Sequence, residues 1–311
     1  MTNVTLPRTV TVYEVGLRDG LQNEKTIVPT EGKLRLAAAL ADAGLTRLEA
    51  ASFVRPDWIA PLADADEVVR RLPRRAGVRW GALVPNAKGL DRALAAGLPE
   101  IAVFISASET HNKKNINRTI AESLAEYRAL VPRAVAAGLG VRAYVSCVWG
   151  CPFEGKVDPR RALEIALELE QLGVEQLSLG DTIGVGTPLQ TRAIVELFLG
   201  RFAPSHLALH LHDTRGIALA NALAGLELGI DTIDASVGGL GGCPYAPGAA
   251  GNLATEDLVY MLHGMGIETG VDLAKLVEAG RLAQELVGHP LTGRYLKAAL
   301  AGQSAGMAGE T

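Results

Sequence analysis

The chain has 311 residues, of which 48% are hydrophobic, and its formal net charge is −4. It contains no long run of Lys or Arg, so it lacks the basic surface typical of proteins that bind nucleic acid or anionic membranes. No apolar stretch reaches the roughly 18 residues that a membrane span needs. The composition therefore favours a small metabolite as ligand, with neither nucleic acid nor membrane as a partner.

Cysteine usage and the first residues predict the compartment. Cys147, Cys151 and Cys243 are an odd and sparse set, which argues against a disulfide framework and favours reduced thiols. The residues before Thr9 form neither the apolar centre of a secretion signal nor an Arg-rich amphipathic helix. We therefore predict a cytoplasmic protein.

Short β-branched runs alternate with longer Ala- and Leu-rich segments about eight times, which is the pattern of βα units. The predicted strands are 9–15, 46–51, 78–84, 100–106, 141–146, 175–179, 207–211 and 232–236. Glycines at 44, 97, 138 and 173 mark helix-to-strand joins, where a left-handed residue can end a helix. The pattern predicts an α/β protein, a (β/α)8 TIM barrel. An open doubly wound sheet is less favoured, because no Gly-rich turn follows the first strand.

No Pro/Ser-rich linker divides the chain, so we expect a single barrel domain over residues 1–302. A Gly-rich loop at 237–252 follows the eighth strand, and its composition suits a lid that closes over substrate. Additional C-terminal helices are predicted from about residue 253, at 253–263 and 273–286. Residues 303–311 are expected to form a disordered tail.

The segment His210-Leu211-His212 gives the sharpest chemical signal. Residues two apart on a strand point to the same face, so both imidazoles would project into the barrel. Asp19 follows the first strand at the same rim, where the catalytic groups of a TIM barrel collect. Two imidazoles and a carboxylate suit a divalent cation, Mg²⁺ or Mn²⁺, that chelates a substrate hydroxyl and carboxylate. Read alone, the His pair is equally compatible with core or surface histidines.

Other charged residues lie at or near strand ends. Arg18 is next to Asp19, and the flanking glycines would let both side chains face the site. A guanidinium there would stabilise a thioester enolate, although such a pair is more often a solvated surface ion pair. Glu49 lies where the strand pattern should be apolar, and it would orient an Arg or His or take part in proton transfer. Asp181, followed by Thr182, fits either that role or a helix N-cap.

Three further features have two interpretations each. Cys243, in the Gly-rich loop, fits an acid or base with a pKa near neutrality, although most lone cysteines are small hydrophobes. Asn252 fits either a neutral oxygen ligand of the metal or a cap of the next helix. Lys113 and Lys114 fit contacts with the phosphates of a nucleotide-like carrier, although a solvated Lys pair is commoner.

Five segments together resemble the 3-hydroxy-3-methylglutaryl-CoA lyase family and occur in that family's order. They are EVGLRDGLQNE at 14–24, KKNIN at 113–117, YVSC at 144–147, SLGDTIGVGTP at 178–188 and GLGGCPY at 239–245. The resemblance extends from about Thr9 to about His289. It implies a TIM-barrel metallolyase in which Asp19, His210, His212 and Asn252 hold Mg²⁺ or Mn²⁺.

The same resemblance implies a reaction, a metal-assisted retro-Claisen cleavage of 3-hydroxy-3-methylglutaryl-CoA to acetyl-CoA and acetoacetate. This step belongs to leucine catabolism and ketone-body formation. Arg18 would stabilise the enolate of the departing acetyl-CoA, Cys243 would transfer a proton, and Glu49 and Asp181 would support the site. The acyl-CoA thioester is expected to contact Arg18, Gln22, Lys113, Lys114 and Thr182. A homodimer or higher homo-oligomer is expected.

Three alternatives stay open at this point. The first is a lyase for a longer 3-hydroxy-3-alkylglutaryl-CoA, since related lyases share much of this pattern. The second is a condensing acetyl-CoA synthase of the isopropylmalate or homocitrate type, although these generally lack the Gly-Gly-Cys-Pro-Tyr loop and carry a larger C-terminal region. The third is a non-catalytic relative that binds metal or acyl-CoA, which would be expected to lose the polar rim residues that this chain retains.

Overall fold

The computed structural model describes residues 6–241 and 251–308, and for 303–308 it describes the backbone only. Parallel strands form a closed barrel in which each strand pairs with the next and β8 returns to β1. The strands are β1 (Thr11–Glu14), β2 (Arg47–Ser52), β3 (Arg79–Leu83), β4 (Glu100–Ser106), β5 (Gly140–Ser146), β6 (Gln176–Asp181), β7 (Leu207–Leu211) and β8 (Thr232–Ala235). The predicted TIM barrel is therefore confirmed.

Helices surround the strands and bury their apolar faces against them. They are α1 (Thr30–Asp42), α2 (Ala65–Arg71), α3 (Ala87–Ala95), α4 (Glu109–Ile116), α5 (Ile120–Ala136), α6 (Pro159–Gln171), α7 (Pro188–Leu199), α8 (Ala218–Leu226), α9 (Thr255–Gly264), α10 (Leu273–Val287) and α11 (Arg294–Ala308). Thr119 and Thr187 start α5 and α7 with reciprocal capping boxes. The glycines predicted to end helices at 44, 97, 138 and 173 all have positive φ.

The C-terminal helices pack on the barrel, with α10 against α1 and α11 against α9 and α10. Asp257 fixes the start of α11, because its carboxylate accepts the backbone N–H groups of Arg294 and Tyr295 at 3.1 and 2.6 Å. The helix continues through Ala308, which differs from the disordered tail expected from residue 303. Apart from Ser304 and Gly306, residues 303–308 are strong helix formers, namely Gln, Ala and Met. Residues 309–311 lie outside the described residues.

No helix within residues 6–241 and 251–308 is both long enough and apolar enough to cross a membrane.

The barrel interior contains a buried polar layer. Arg142 on β5 and Asp234 on β8 form a two-bond ion pair across the barrel, with N–O distances of 2.5 and 3.0 Å. The Arg142 guanidinium carbon also lies 4.0 Å from the ring centre of Tyr13 and 4.9 Å from that of Tyr144. Buried charges need paired and hydrogen-bonded surroundings. This layer therefore holds non-neighbouring strands in a fixed arrangement below the carboxyl-end rim.

Candidate active site

A cavity of about 420 Å³ opens at the carboxyl ends of the strands. Its polar wall includes Arg18 and Asp19 after β1, Thr182 after β6, and His210 and His212 on and after β7. The sequence predicted that the polar residues after these strands lie close together, because the carboxyl ends of barrel strands meet at one rim.

A single π-helical turn, Gly16–Gly20, positions Arg18 and Asp19. The N–H groups of residues 18, 19 and 20 all point to the Val15 carbonyl, at 3.1, 2.8 and 3.1 Å. Both flanking glycines are required for close packing. A Cβ atom on Gly16 would lie 2.6 Å from Glu14 Oε1, and one on Gly20 would lie 2.9 Å from Leu240 Cβ. The turn lets two consecutive charged side chains face the same site, as predicted.

Asp19, His210 and His212 bring their ligand atoms within 4.8 Å of one another. The two histidine Nε2 atoms are 3.3 Å apart, and His210 Nε2 lies 3.9 Å from Asp19 Oδ2. Adjacent ligands of an octahedral ion with bonds of about 2.1 Å are separated by about 3 Å. The observed spacing therefore fits a common cation.

Asn252, at the C-terminal end of the Gly-rich loop, also belongs to this group. A bridge to His212 places its backbone, and its Nδ2 donates to Asp19 Oδ2 at 2.8 Å and to the Leu240 carbonyl at 3.0 Å. Its Oδ1 atom is buried and has no hydrogen-bond partner within residues 6–241 and 251–308. An unpartnered buried acceptor is costly, and a cation beside Asp19 would satisfy it.

The electrostatics favour ligands that are ready to bind a cation. Burial raises the pKa of Asp19, but Arg18 and the neighbouring histidines outweigh that effect and hold the pKa well below its usual range. Burial and the proximity of His210 lower the pKa of His212 to about 4. At neutral pH the site therefore presents an ionised carboxylate and a neutral His212 imidazole, the form that can bind a cation.

Arg18 is buried and oriented from several directions. Its Nε donates to Glu49 Oε2, and its Nη1 donates to Asp19 Oδ1 at 2.6 Å. The Tyr144 hydroxyl donates to the same Glu49 oxygen at 3.1 Å, and the Arg18 guanidinium carbon lies 5.2 Å from the Tyr144 ring centre. Glu49 is wholly buried, so it orients Arg18 from behind the cavity wall. Of the two roles that the sequence offered for Glu49, this contact has the geometry of the orienting one, and its part in the reaction stays a prediction.

Asp181 lies at the end of β6 but points into the following turn. Its carboxylate accepts the N–H groups of Val185 and Gly186 at 3.0 and 2.8 Å, so it shapes the backbone beside the cavity. Thr182 lines the cavity, and its Oγ1 accepts the N–H of Cys147 at 2.8 Å. Cys147 has a φ of +61°, a conformation that is uncommon outside glycine. Asp181 therefore has a positioning geometry, whereas Thr182 reaches the space where substrate would lie.

The predicted substrate-binding residues occupy different parts of the site. Gln22 lines the cavity. Lys113 and Lys114 are exposed on α4, and the segment that follows them, 115–118, contributes to the cavity wall. Lys114 Nζ lies 4.2 Å from the ring centre of Phe153. Cys243 lies outside the described residues.

Asp234, Arg142 and Tyr144 are further parts of this site that were not predicted from the sequence. Asp234 Oδ2 lies 3.1 Å from His210 Nδ1, and Tyr144 contacts His210 edge to face with ring centres 5.7 Å apart. Burial raises the pKa of Asp234, but Arg142 and His210 outweigh it and lower the net value. The available signal for Asp234 and Arg142 was a charged residue within an otherwise buried strand, the same signal that identified Glu49, whereas Tyr144 is uncharged and had no such signal.

Comparison with known proteins gives the family. The HMGL-like family matches residues 9–283, which is most of the chain. The chain belongs to the HMGL-like family. Bovine mitochondrial hydroxymethylglutaryl-CoA lyase is 52% identical over 276 residues, covering 89% of this chain and 85% of the relative.

Solved structures of HMGL-like relatives share the whole barrel. A Bacillus subtilis HMG-CoA lyase superimposes with a TM-score of 0.93 at 48% identity, covering 94% of this chain and 98% of that one. An Acinetobacter baumannii HMG-CoA lyase in complex with coenzyme A and 3-methylmalate gives a TM-score of 0.90 at 40% identity, covering 94% and 95%. The family resemblance inferred from the five sequence segments is confirmed.

Proposed function

We propose that this protein is a carbon–carbon lyase that cleaves 3-hydroxy-3-methylglutaryl-CoA to acetyl-CoA and acetoacetate with the aid of Mg²⁺ or Mn²⁺. The observation that carries the proposal is the meeting of Asp19, His210, His212 and Asn252 beside the buried Arg18. Membership of the HMGL-like family and the names of its lyase relatives support the choice of substrate. The relative that holds coenzyme A supports an acyl-CoA thioester as the ligand.

The roles of the residues follow from their positions. A divalent cation held by the four ligands would polarise the oxygens of the substrate and ease loss of the C3 hydroxyl proton. Arg18 would stabilise the enolate oxygen that develops as the C2–C3 bond breaks, because its guanidinium is fixed before the reaction by Glu49 and Asp19. Asp19 lines the cavity whereas Glu49 does not, so Asp19 is the better placed of these carboxylates to accept the hydroxyl proton. Because the pKa of Asp19 is held low, this transfer would require the cation to lower the pKa of the C3 hydroxyl as well.

The remaining roles are proposals of the same kind. Cys243 would donate a proton to C2 of the enolate and so complete acetyl-CoA. Gln22, Thr182, Lys113 and Lys114 would contact the acyl-CoA, with the lysines near its phosphates. Asp181 would act through the turn that it holds. Homo-oligomerisation and a cytoplasmic location stay predictions, and some relatives are named as mitochondrial.

A substrate assay tests the proposed function directly. Purified protein with Mn²⁺ or Mg²⁺ is expected to release acetoacetate from 3-hydroxy-3-methylglutaryl-CoA, and removal of the metal by a chelator should stop release until metal is restored. A longer 3-hydroxy-3-alkylglutaryl-CoA, assayed in parallel, should react with a lower kcat/KM. Release of free CoA from acetyl-CoA plus a 2-oxo acid would instead indicate the condensing reaction.

The variant Cys243→Ala tests the proton donor. It is expected to lower kcat by about 10²-fold or more, in the range typical of general acid–base catalysis, while Mn²⁺ affinity stays unchanged. Steady-state kinetics and a Mn²⁺ titration by electron paramagnetic resonance (EPR) measure the two quantities. The control is Cys151→Ala, since Cys151 is buried against Ser108 Oγ at 3.0 Å and does not line the cavity. A wild-type kcat in the Cys243 variant would remove the thiol from the mechanism.

A further inference from the structure

The two ring nitrogens of His210 have different surroundings. Nδ1 lies 3.1 Å from Asp234 Oδ2, and Nε2 lies 3.3 Å from His212 Nε2 at the point where the cation ligands meet. In a neutral imidazole one nitrogen carries the proton and the other carries the lone pair. The environment of Nδ1 therefore decides whether Nε2 can bind a cation.

Asp234 is held as an ionised acceptor. It is wholly buried on β8, where it is the register partner of His210 on β7. Arg142 donates to both of its oxygens, and the Ser178 hydroxyl donates to Oδ2 at 2.8 Å. Because a guanidinium stays protonated in proteins, this two-bond pair keeps the carboxylate charged. An ionised carboxylate only accepts hydrogen bonds, so Nδ1 of His210 must be the donor.

We propose that Asp234 is a positioning residue that fixes the tautomer and ring orientation of His210, so that the Nε2 lone pair faces the cation. The proposal uses the metal site of the proposed function but not the identity of the substrate. A carboxylate that accepts from the second nitrogen of a metal-binding histidine has this effect on ligand geometry and basicity.

The contrast with His212 supports a specific role at His210. Within the described residues, His212 Nδ1 is buried and has no hydrogen-bond partner, whereas His210 is held by Asp234 and by the edge-to-face contact with Tyr144. Arg142, Ser178 and Asp234 belong to β5, β6 and β8. Side chains from three strands thus meet at the Asp234 carboxylate, which contacts His210 Nδ1, and this makes His210 the more rigidly oriented of the two imidazoles.

The first test is the tautomer in the metal-free wild-type protein. Two-bond ¹H–¹⁵N nuclear magnetic resonance (NMR) spectra of the protein labelled with ¹⁵N-histidine distinguish Nδ1–H from Nε2–H, and the chain has 6 histidines. The signal of His210 is assigned by its loss in His210→Gln. We expect the Nδ1–H form. An Nε2–H form would overturn the proposal whatever the variants do, and neither result depends on turnover.

The second test is Asp234→Asn, which keeps the shape of the side chain. With its oxygen turned to Arg142, the amide would present N–H to His210 Nδ1 and so favour the Nε2–H tautomer. Mn²⁺ affinity, measured by EPR titration, is expected to fall about 10- to 100-fold, together with a switch of the His210 NMR signal. An unchanged tautomer with wild-type Mn²⁺ affinity would contradict the proposal.

Ser178→Ala is the matched control, since it removes another hydrogen bond to the same Asp234 oxygen and leaves the contact with His210 in place. The control is expected to keep the Nδ1–H tautomer and nearly all of the Mn²⁺ affinity. An equal loss of Mn²⁺ affinity in both variants would indicate a general weakening of the polar layer and would also overturn the specific role. Failure of the substrate assay alone would reject the proposed reaction and leave these results in force.

Discussion

Replacing Arg18 with glutamine is expected to lower kcat by about 10²- to 10³-fold, the effect typical of removing one fixed donor to a developing oxyanion. The reason is geometric as well as electrostatic. Glu49, Asp19 and the ring of Tyr144 hold the guanidinium in one orientation, and glutamine supplies neither its charge nor its planar fork. Steady-state kinetics with 3-hydroxy-3-methylglutaryl-CoA measure the loss.

Two further variants separate catalysis from folding in this experiment. Arg18→Gln leaves Glu49 buried without its cation, so Arg18→Gln/Glu49→Gln should recover thermal stability but not kcat. Arg92→Gln is the matched control, because Arg92 also pairs with an acid, Asp66, and lies 4.9 Å from an aromatic ring centre, that of Phe53, outside the cavity. It should change kcat little. Full activity in the Arg18 variant would remove this residue from the mechanism.

Asp19→Asn is expected to weaken Mn²⁺ binding by more than 10- to 100-fold, the loss typical of mutating a residue that only hydrogen-bonds to a metal ligand. It is also expected to abolish turnover at ordinary metal concentrations. Asp19 is the carboxylate in the ligand group of the described residues, so the substitution removes the negative charge that balances the cation. The amide also keeps only one acceptor oxygen, so it can accept from Arg18 Nη1 or from Asn252 Nδ2 but not from both. EPR titration with Mn²⁺ gives the affinity without any substrate.

Asp213→Asn is the matched control for this loss. Asp213 directly follows His212, but its carboxylate accepts from Arg294 at 2.6 Å and from the N–H of Ala218 at 2.9 Å. The Asp213→Asn variant should lose some thermal stability and bind Mn²⁺ almost as tightly as the wild-type protein. Equal affinity in the Asp19 and Asp213 variants would refute the assignment of Asp19 as a ligand.

The sequence predicted the barrel because its information is local and repeated. Each strand–helix unit carries its own periodicity and a glycine at the join, and every predicted strand lies within two residues of an observed one at both ends. The meeting of Asp19, His210 and His212 in one group was predictable for a related reason. Topology alone brings the carboxyl ends of parallel strands to one rim.

Arg142 and Asp234 could not be paired in the same way. They lie on β5 and β8, which are not neighbours, and their contact depends on how the closed sheet staggers its interior positions. No local pattern encodes that stagger. Asp181 illustrates a different limit, since a carboxylate at a strand end can face the cavity or the next turn. The Asp181 carboxylate faces the turn because the backbone of 182–186 directs N–H groups toward it.

Closure of the barrel by β1 and β8 has a consequence for biosynthesis. Asp19 is made early, whereas His210, His212 and Asn252 emerge from the ribosome much later, so a growing chain lacks part of the proposed cation site until residue 252, beyond β8, has been made. Binding of a cation by the proposed ligands would therefore be a late event that reports a closed barrel. A fragment that ends before β7 would lack both histidines of the proposed site, however well its first strands had folded.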